Sequence, residues 1–160
     1  MLVNAEPGDA AQFRRRLIVQ QEAALDSNTW SEPVLELSLP DGIYLLPYRN
    51  RIPAGFIGDP AAWSRYNSTE PLDSSALSGA PLSLAIGGSA AESWDVVQFT
   101  PAGTLSFGMG DLVLASGNMR VPGSFAAGES PVQAINSDAV RGVSLSLYGL
   151  AVPIDGREGF

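Results

Sequence analysis

Cysteine, histidine and lysine are all missing from this 160-residue chain, so its nine cations are all arginine. Each absence removes a chemistry. Without cysteine there is no disulfide scaffold and no thiolate nucleophile, and without both Cys and His there is no zinc site of the usual donor set. The Ser-His and Cys-His nucleophilic systems fail for want of an imidazole. Without lysine neither a Schiff base nor the cation of a phosphate-binding P-loop can be built. Zero cysteine leaves the redox compartment open, because an oxidising environment permits disulfides without demanding them. Long apolar sequence is also scarce. No run approaches the roughly 18 residues of a membrane span, and Met1 to Gly8 carries no signal-peptide apolar region. The chain as written is expected to be soluble and untargeted. It is not expected to be an enzyme, and no catalytic residue, cofactor-binding residue, cofactor or metal ligand is assigned.

Apolar residues make up 45% of the composition and charged ones 16%, with 17 Gly and 12 Pro, which suits a turn-rich globular protein. The length favours one domain over 1–160, and a chain of this size buries about 70% of its unfolded surface. The formal charge is −8, and the 17 acidic residues are scattered from Glu6 to Glu158 as a solvated surface. A basic stripe is the footprint of phosphate binding, and the only positive cluster is Arg14, Arg15 and Arg16, so nucleic acid is not an expected partner. That cluster reads as the solvated face of a helix or a local acid-pairing patch.

The helix in question is expected over Asp9 to Leu25, within a stem at 9–26. Pro7 and Gly8 punctuate, Asp9 is a candidate N-cap, and Gln12 three residues later completes a capping-box pattern. Ala10, Phe13, Leu17, Gln21 and Ala24 fall on one side of a 3.6-residue wheel, widened by Ile18 and Leu25, with Gln12, Arg15 and Glu22 opposite. Asp26, Ser27 and Asn28 end it.

Strand signals follow, in a β-rich region over 34–154. Leu35, Leu37 and Leu39 alternate with Glu36 and Ser38, and Pro40-Asp41-Gly42 supplies turn chemistry before Ile43 to Leu46, which predicts a hairpin. Further strands are expected at Leu82 to Ile86, Val96 to Phe99, Thr104 to Phe107, Asp111 to Ala115, Val143 to Leu147 and Leu150 to Ile154. Pro101-Ala102-Gly103 and Tyr148-Gly149 are expected to turn two more hairpins. The segments Asn50 to Pro81 and Ser116 to Asp138 read as long irregular loops, a type that is often functional. Phe56, Trp63 and Tyr66 in the first are read as anchors of the loop to a sheet, since large aromatic side chains usually find cover, with a loop recognition surface as the other reading.

Motifs for chemistry are few. Asn67-Ser68-Thr69 matches the N-glycosylation acceptor, which matters only in a glycosylating compartment. Gly87-Gly88-Ser89 and Gly108-Met109-Gly110 resemble fragments of phosphate loops but lack the spacing and the following helix, and read as turns. Glu92 and Asp95 beside Trp94 are the candidate carboxylate pair for a hydrolase.

The segment Phe13-Arg14-Arg15-Arg16-Leu17-Ile18-Val19-Gln20-Gln21-Glu22-Ala23-Ala24-Leu25, followed by the first strand pair, resembles the post-membrane helix of the type II secretion H and FimT-like minor pseudopilins. Val97 to Leu105, then Asp111 to Ala115, is similar to that family's phenylalanine-x-proline-x-glycine block and its following strand. Val143 to Pro153, with Gly149 at the bend, resembles the closing hairpin. The resemblance implies an α+β fold, with one N-terminal α-helix packed on antiparallel β-sheet and a pilin-like head with long irregular loops. It also implies a structural role in a short filament of a type II secretion or type IV pilus-like system. The partners would be other pseudopilin or pilin subunits and secreted cargo. The site would be periplasmic or at the cell surface, anchored in the inner membrane by a segment absent before Met1. Arg14, Arg15 and Arg16 would then be subunit-interface candidates. The family's DNA-binding members carry basic residues after the closing glycine; here Leu150-Ala151-Val152-Pro153 follows Gly149, so DNA uptake is not implied. The alternative reading is a secreted or surface β-sandwich module that binds a ligand such as carbohydrate through Trp63, Tyr66 and the first loop.

Overall fold

The structure, a computed structural model, describes residues 1–22, 30–87 and 90–160. Among the described residues ten strands run in chain order: β1 (Leu2–Asn4), β2 (Arg16–Val19), β3 (Leu35–Ser38), β4 (Ile43–Leu45), β5 (Leu82–Leu84), β6 (Glu92–Val96), β7 (Gly110–Met119), β8 (Val132–Ala134), β9 (Arg141–Leu145) and β10 (Ala151–Asp155). They form two antiparallel sheets. Sheet I has the order β3-β2-β1-β6-β5; sheet II has the order β10-β9-β7-β4, with β8 paired to the far end of β7.

This architecture overturns the expected α+β fold. Among the described residues the only helical segments are 3-10 turns of three or four residues, and the expected helix over 9–26 is absent as far as Glu22; its last residues lie outside the described ones. The physical reason centres on Arg14. The amides of Gln12 and Phe13 both donate to the Asp9 carbonyl (3.1 and 2.8 Å), so the segment begins as a helix would. The Arg14 amide then donates to Asn4 of β1 (2.9 Å), and the Arg14 carbonyl accepts from Leu45 of β4 (2.9 Å). These two long-range bonds tie sheet I to sheet II through one residue. They hold Arg14 at φ 59°, a left-handed conformation that costs a non-glycine residue about 1–2 kcal/mol. Helix propagation ends there, and the chain enters β2. Leu17 faces the space between the sheets and Ile18 is buried on the opposite side with Trp94. Leu17, Ile18 and Val19 are consecutive apolar residues divided between the two faces, so the period of two is invisible in the sequence.

The predicted β3–β4 hairpin is also corrected. Ile43 donates to the Pro40 carbonyl (3.1 Å) and Gly42 sits at φ 79°, so the turn forms. It nevertheless carries the chain from one sheet to the other, because β3 pairs with β2 and β4 pairs with β7. The β9–β10 hairpin is present as expected, with Gly149 at φ 73° in the bend. Around Pro101 to Gly103 the chain makes a tight turn closed by a single bridge, Phe99 to Leu105. The expected irregular segment after Ser116 is partly regular, since β7 continues to Met119 and pairs with β8.

Alternation along β7 distributes the core. Leu112 and Leu114 point between the sheets, to Val3, Leu45, Val97, Leu105 and Leu145. Val113 and Ala115 point to the outer face of sheet II, which Phe13, Phe56, Trp63 and Leu72 cover. The outer face of sheet I carries a third cluster of Leu2, Ile18, Ile86, Trp94 and Val96. Loop 50–81 is stitched to β7: the hydroxyls of Ser74 and Ser75 accept from the amides of Val113 (3.0 Å) and Asp111 (2.9 Å). A Cβ on Gly110 would stand 2.6 Å from the Ala76 amide nitrogen, so β7 begins with glycine because the 3-10 turn Ser75–Leu77 lies on it.

Candidate functional site

The arginine cluster divides. Arg14 is 2% exposed and pairs with Asp95, itself 1% exposed, in the seam between the sheets. Arg51 reaches the same carboxylate, its Nε 3.0 Å from Asp95 Oδ1 without hydrogen-bond alignment. The other Arg51 nitrogens donate to the carbonyls of Leu77 and Gly79. Burial pushes the Arg14 guanidinium below its ordinary value, and the attraction of Asp95 opposes that shift. Arg15 is paired with Asp41 (2.6 Å) and donates to the Leu39 carbonyl (2.7 Å). Arg16 is paired with Glu36 (2.7 Å) and lies over the Trp94 ring, its guanidinium carbon 5.5 Å from the centroid. The acid-pairing reading therefore describes Arg15 and Arg16. Arg14 is interior, which removes it as a surface for subunit contact.

The carboxylate candidates do not meet. In β6, Trp94 and Val96 face the outer cluster of sheet I while Asp95, opposite Val3, faces the inter-sheet seam. Glu92 shares the Trp94 face by the two-residue period, where it accepts from the Asn4 side chain (3.0 Å). Two acids on opposite faces of one strand cannot share a cleft.

The loop aromatics divide as well. Phe56 and Trp63 are buried over sheet II, Phe56 edge-on to Phe13 with 6.2 Å between centroids. Tyr66 is exposed, next to Asn67 at φ 52°, so the sequon stands at a surface turn. Anchoring thus accounts for two of the three, and Tyr66 alone is left for recognition. A hollow of about 570 Å³ beside this loop is lined by Ile52, Ile57, Trp63 and three prolines, with Arg49 at its rim. That guanidinium is committed to Glu70 (2.6 Å) and is held above its ordinary value chiefly by Asp73. Gly87 and Gly108 sit at φ 64° and 87° in turns with no helix following, while Gly88 and Ser89 lie outside the described residues. Among the described residues no group of three or more His, Cys, Asp or Glu could hold a metal ion, and no helix is long and apolar enough to cross a membrane.

What sequence reasoning missed is an apolar surface. At the tip of the β9–β10 hairpin Tyr148 is 75% and Leu150 69% exposed, flanked by Leu147 and Val152. The tip leans on the Phe99–Leu105 turn. Leu105 donates to the Leu147 carbonyl (2.9 Å), and a Cβ on Gly149 would lie 3.3 Å from the Phe99 ring, which is exposed too. The available signal was the placement of Leu147, Tyr148 and Leu150 around a turn, where polar residues are the rule. The molecule is therefore a two-sheet antiparallel β module with apolar residues gathered on one hairpin tip. A scan of family models gave no match, and searches of curated proteins and of solved structures gave none either.

Proposed function

We propose that the chain is a non-enzymatic structural subunit that works through protein–protein contact, with the β9–β10 tip and Phe99 as a contact surface. The exposed Phe99, Leu147, Tyr148 and Leu150 cluster carries this reading. Tyrosine is among the residues enriched at the energetic centres of interfaces, and gathered apolar exposure marks interaction sites. The role implied by the pseudopilin resemblance is proposed in reduced form. It is a β-rich head that touches neighbouring pilin-like subunits or cargo at the periplasmic or cell-surface side, with no helical stem supplied by residues 9–22. The carbohydrate alternative loses most of its support, because Trp63 is buried.

The test is site-specific photo-cross-linking in cells that make the chain, with the cross-linker at Tyr148 and, as a control, at exposed Glu158. Adducts to another subunit of one assembly from Tyr148 alone are expected, and Tyr148→Asp with Leu150→Asp should abolish them. Equal adducts from both positions, or assembly unaffected by the double substitution, would overturn the reading.

A further inference from the structure

The two sheets end in edges of different character. Ser146 donates to the Leu150 carbonyl (2.9 Å), which fixes the phase of the β9–β10 ladder. Val152 and Ile154 bond inward, and Ala151, Pro153 and Asp155 turn their main-chain groups to the free side. Proline has no amide to offer, so the middle of that edge is blunted. On β3, Leu39 donates to the Arg15 carbonyl (3.0 Å). By the same alternation Leu37 bonds to β2, and the amides and carbonyls of Glu36 and Ser38 point away from the sheet; at the start of the strand the Val34 amide also turns inward, donating to the Val19 carbonyl (2.8 Å). No proline interrupts them. Pro33 and Pro40 bracket the stretch instead and limit it to residues 34–39.

The side chains of β3 suit an added strand. All four residues are exposed, Leu37 at 51%. Leu35 and Leu37 lie on the face of Leu17 and Val3, through the register Leu37 to Leu17 and Leu17 to Val3, so a further strand would extend the inter-sheet core. Glu36 lies on the other face, and exposed Glu32 precedes the strand. Charge selects the occupant. Each of the nine arginines already has a carboxylate within ion-pair distance. The net charge of −8 is therefore surplus carboxylate. A second copy would set one such surface against another.

We infer that β3 is a docking edge for an extended, basic segment of a partner protein, which adds to sheet I as a sixth strand. Its alternate apolar side chains cover Leu35 and Leu37, and its lysines or arginines meet Glu32 and the half-exposed carboxylate of Glu36, which they share with Arg16. Main-chain bonds supply affinity and the alternation supplies selectivity, as in other strand additions. This inference rests on the reading of the chain as a protein–protein module, but concerns a different surface from the hairpin tip.

The full chain, labelled with ¹⁵N, is titrated with an acetylated ten-residue peptide alternating valine and lysine, and with its valine–glutamate counterpart. The lysine peptide is expected to shift the amides of residues 34–39 and to slow exchange of the Glu36 and Ser38 amides by tenfold or more. The glutamate peptide should do neither. Glu36→Pro removes an outward amide and leaves the main-chain β2–β3 ladder in place, while also freeing Arg16 of its carboxylate, and should weaken lysine-peptide binding at least tenfold. Glu36→Lys, which keeps the amide, should weaken it less while admitting the glutamate peptide. No binding of the lysine peptide, shifts confined to other residues, equal binding of both peptides, or self-association through β3 in preference to the peptide would each overturn the inference. Cross-linking from Tyr148 would survive any of these results, so failure here is separable from failure of the broader reading.

Discussion

Two guanidinium–carboxylate pairs occupy opposite environments in this molecule. Arg14 and Asp95 are sealed between the sheets with almost no exposure, whereas Arg141 and Asp155, joined at 2.6 Å across the β9–β10 ribbon, have side chains 73% and 80% exposed. The residue types are the same, and the exposed pair has well-formed geometry. Desolvation separates them. In water the attraction of such a pair is screened and nearly offset by the entropy of holding two long side chains still. In the seam each charge has lost its hydration and depends on its partner, so removing one leaves the other stranded. Contact geometry alone would rank the two pairs as equals.

The largest effect is therefore expected in the seam. Asp95→Ala leaves Arg14 buried without an acid and also deprives Arg51 of its partner, and should cost about 3–5 kcal/mol in urea unfolding. Arg14→Ala should cost less than Asp95→Ala, because Arg51 Nε remains 3.0 Å from Asp95. The reverse order would mean that Arg51 does not share the carboxylate. Lys at position 14 is no substitute, since the planar fork of arginine is what suits a buried carboxylate.

The seam was illegible in the sequence for reasons that attach to particular residues. Arg14 stands in a triplet with Arg15 and Arg16, and adjacent like charges look like a solvated face. Its burial follows from two main-chain bonds, to Asn4 and Leu45, whose partners lie 10 and 31 residues away and leave no local trace. Asp95 lies between Trp94 and Val96 on a strand, so period-two alternation makes it look solvent-facing. It faces the second sheet instead, because sheet I is covered on both sides. Legible features were those set by local chemistry: the Gly149 bend, the Pro40–Gly42 turn, the strands at 82–84 and 111–115, and the anchoring of Phe56 and Trp63. Which strand each turn delivers its chain to is a long-range matter, and the Pro40–Gly42 turn shows that a hairpin signal can serve a crossing between sheets. The hairpin-tip surface was half legible, through apolar residues placed where turns are usually polar.

The smallest effect belongs to the exposed pair. Asp155 raises the pKa of the Arg141 guanidinium through a hydrogen bond and its charge, yet that shift reports proton affinity at a group open to solvent, far above any working pH, and implies no comparable gain in folding. Arg141→Ala is expected to leave the urea midpoint nearly where it is, with the denaturant slope unchanged. Because the Debye length is about 8 Å at physiological salt, raising the salt should shrink even that difference, while the Asp95→Ala penalty, set by desolvation, should barely respond. An Arg141→Ala penalty that matched the seam and persisted in high salt would show that the ribbon is not solvated in solution. The surface around Val152 would then already be covered by another molecule, and burial by that partner would have converted an exposed pair into a second buried one.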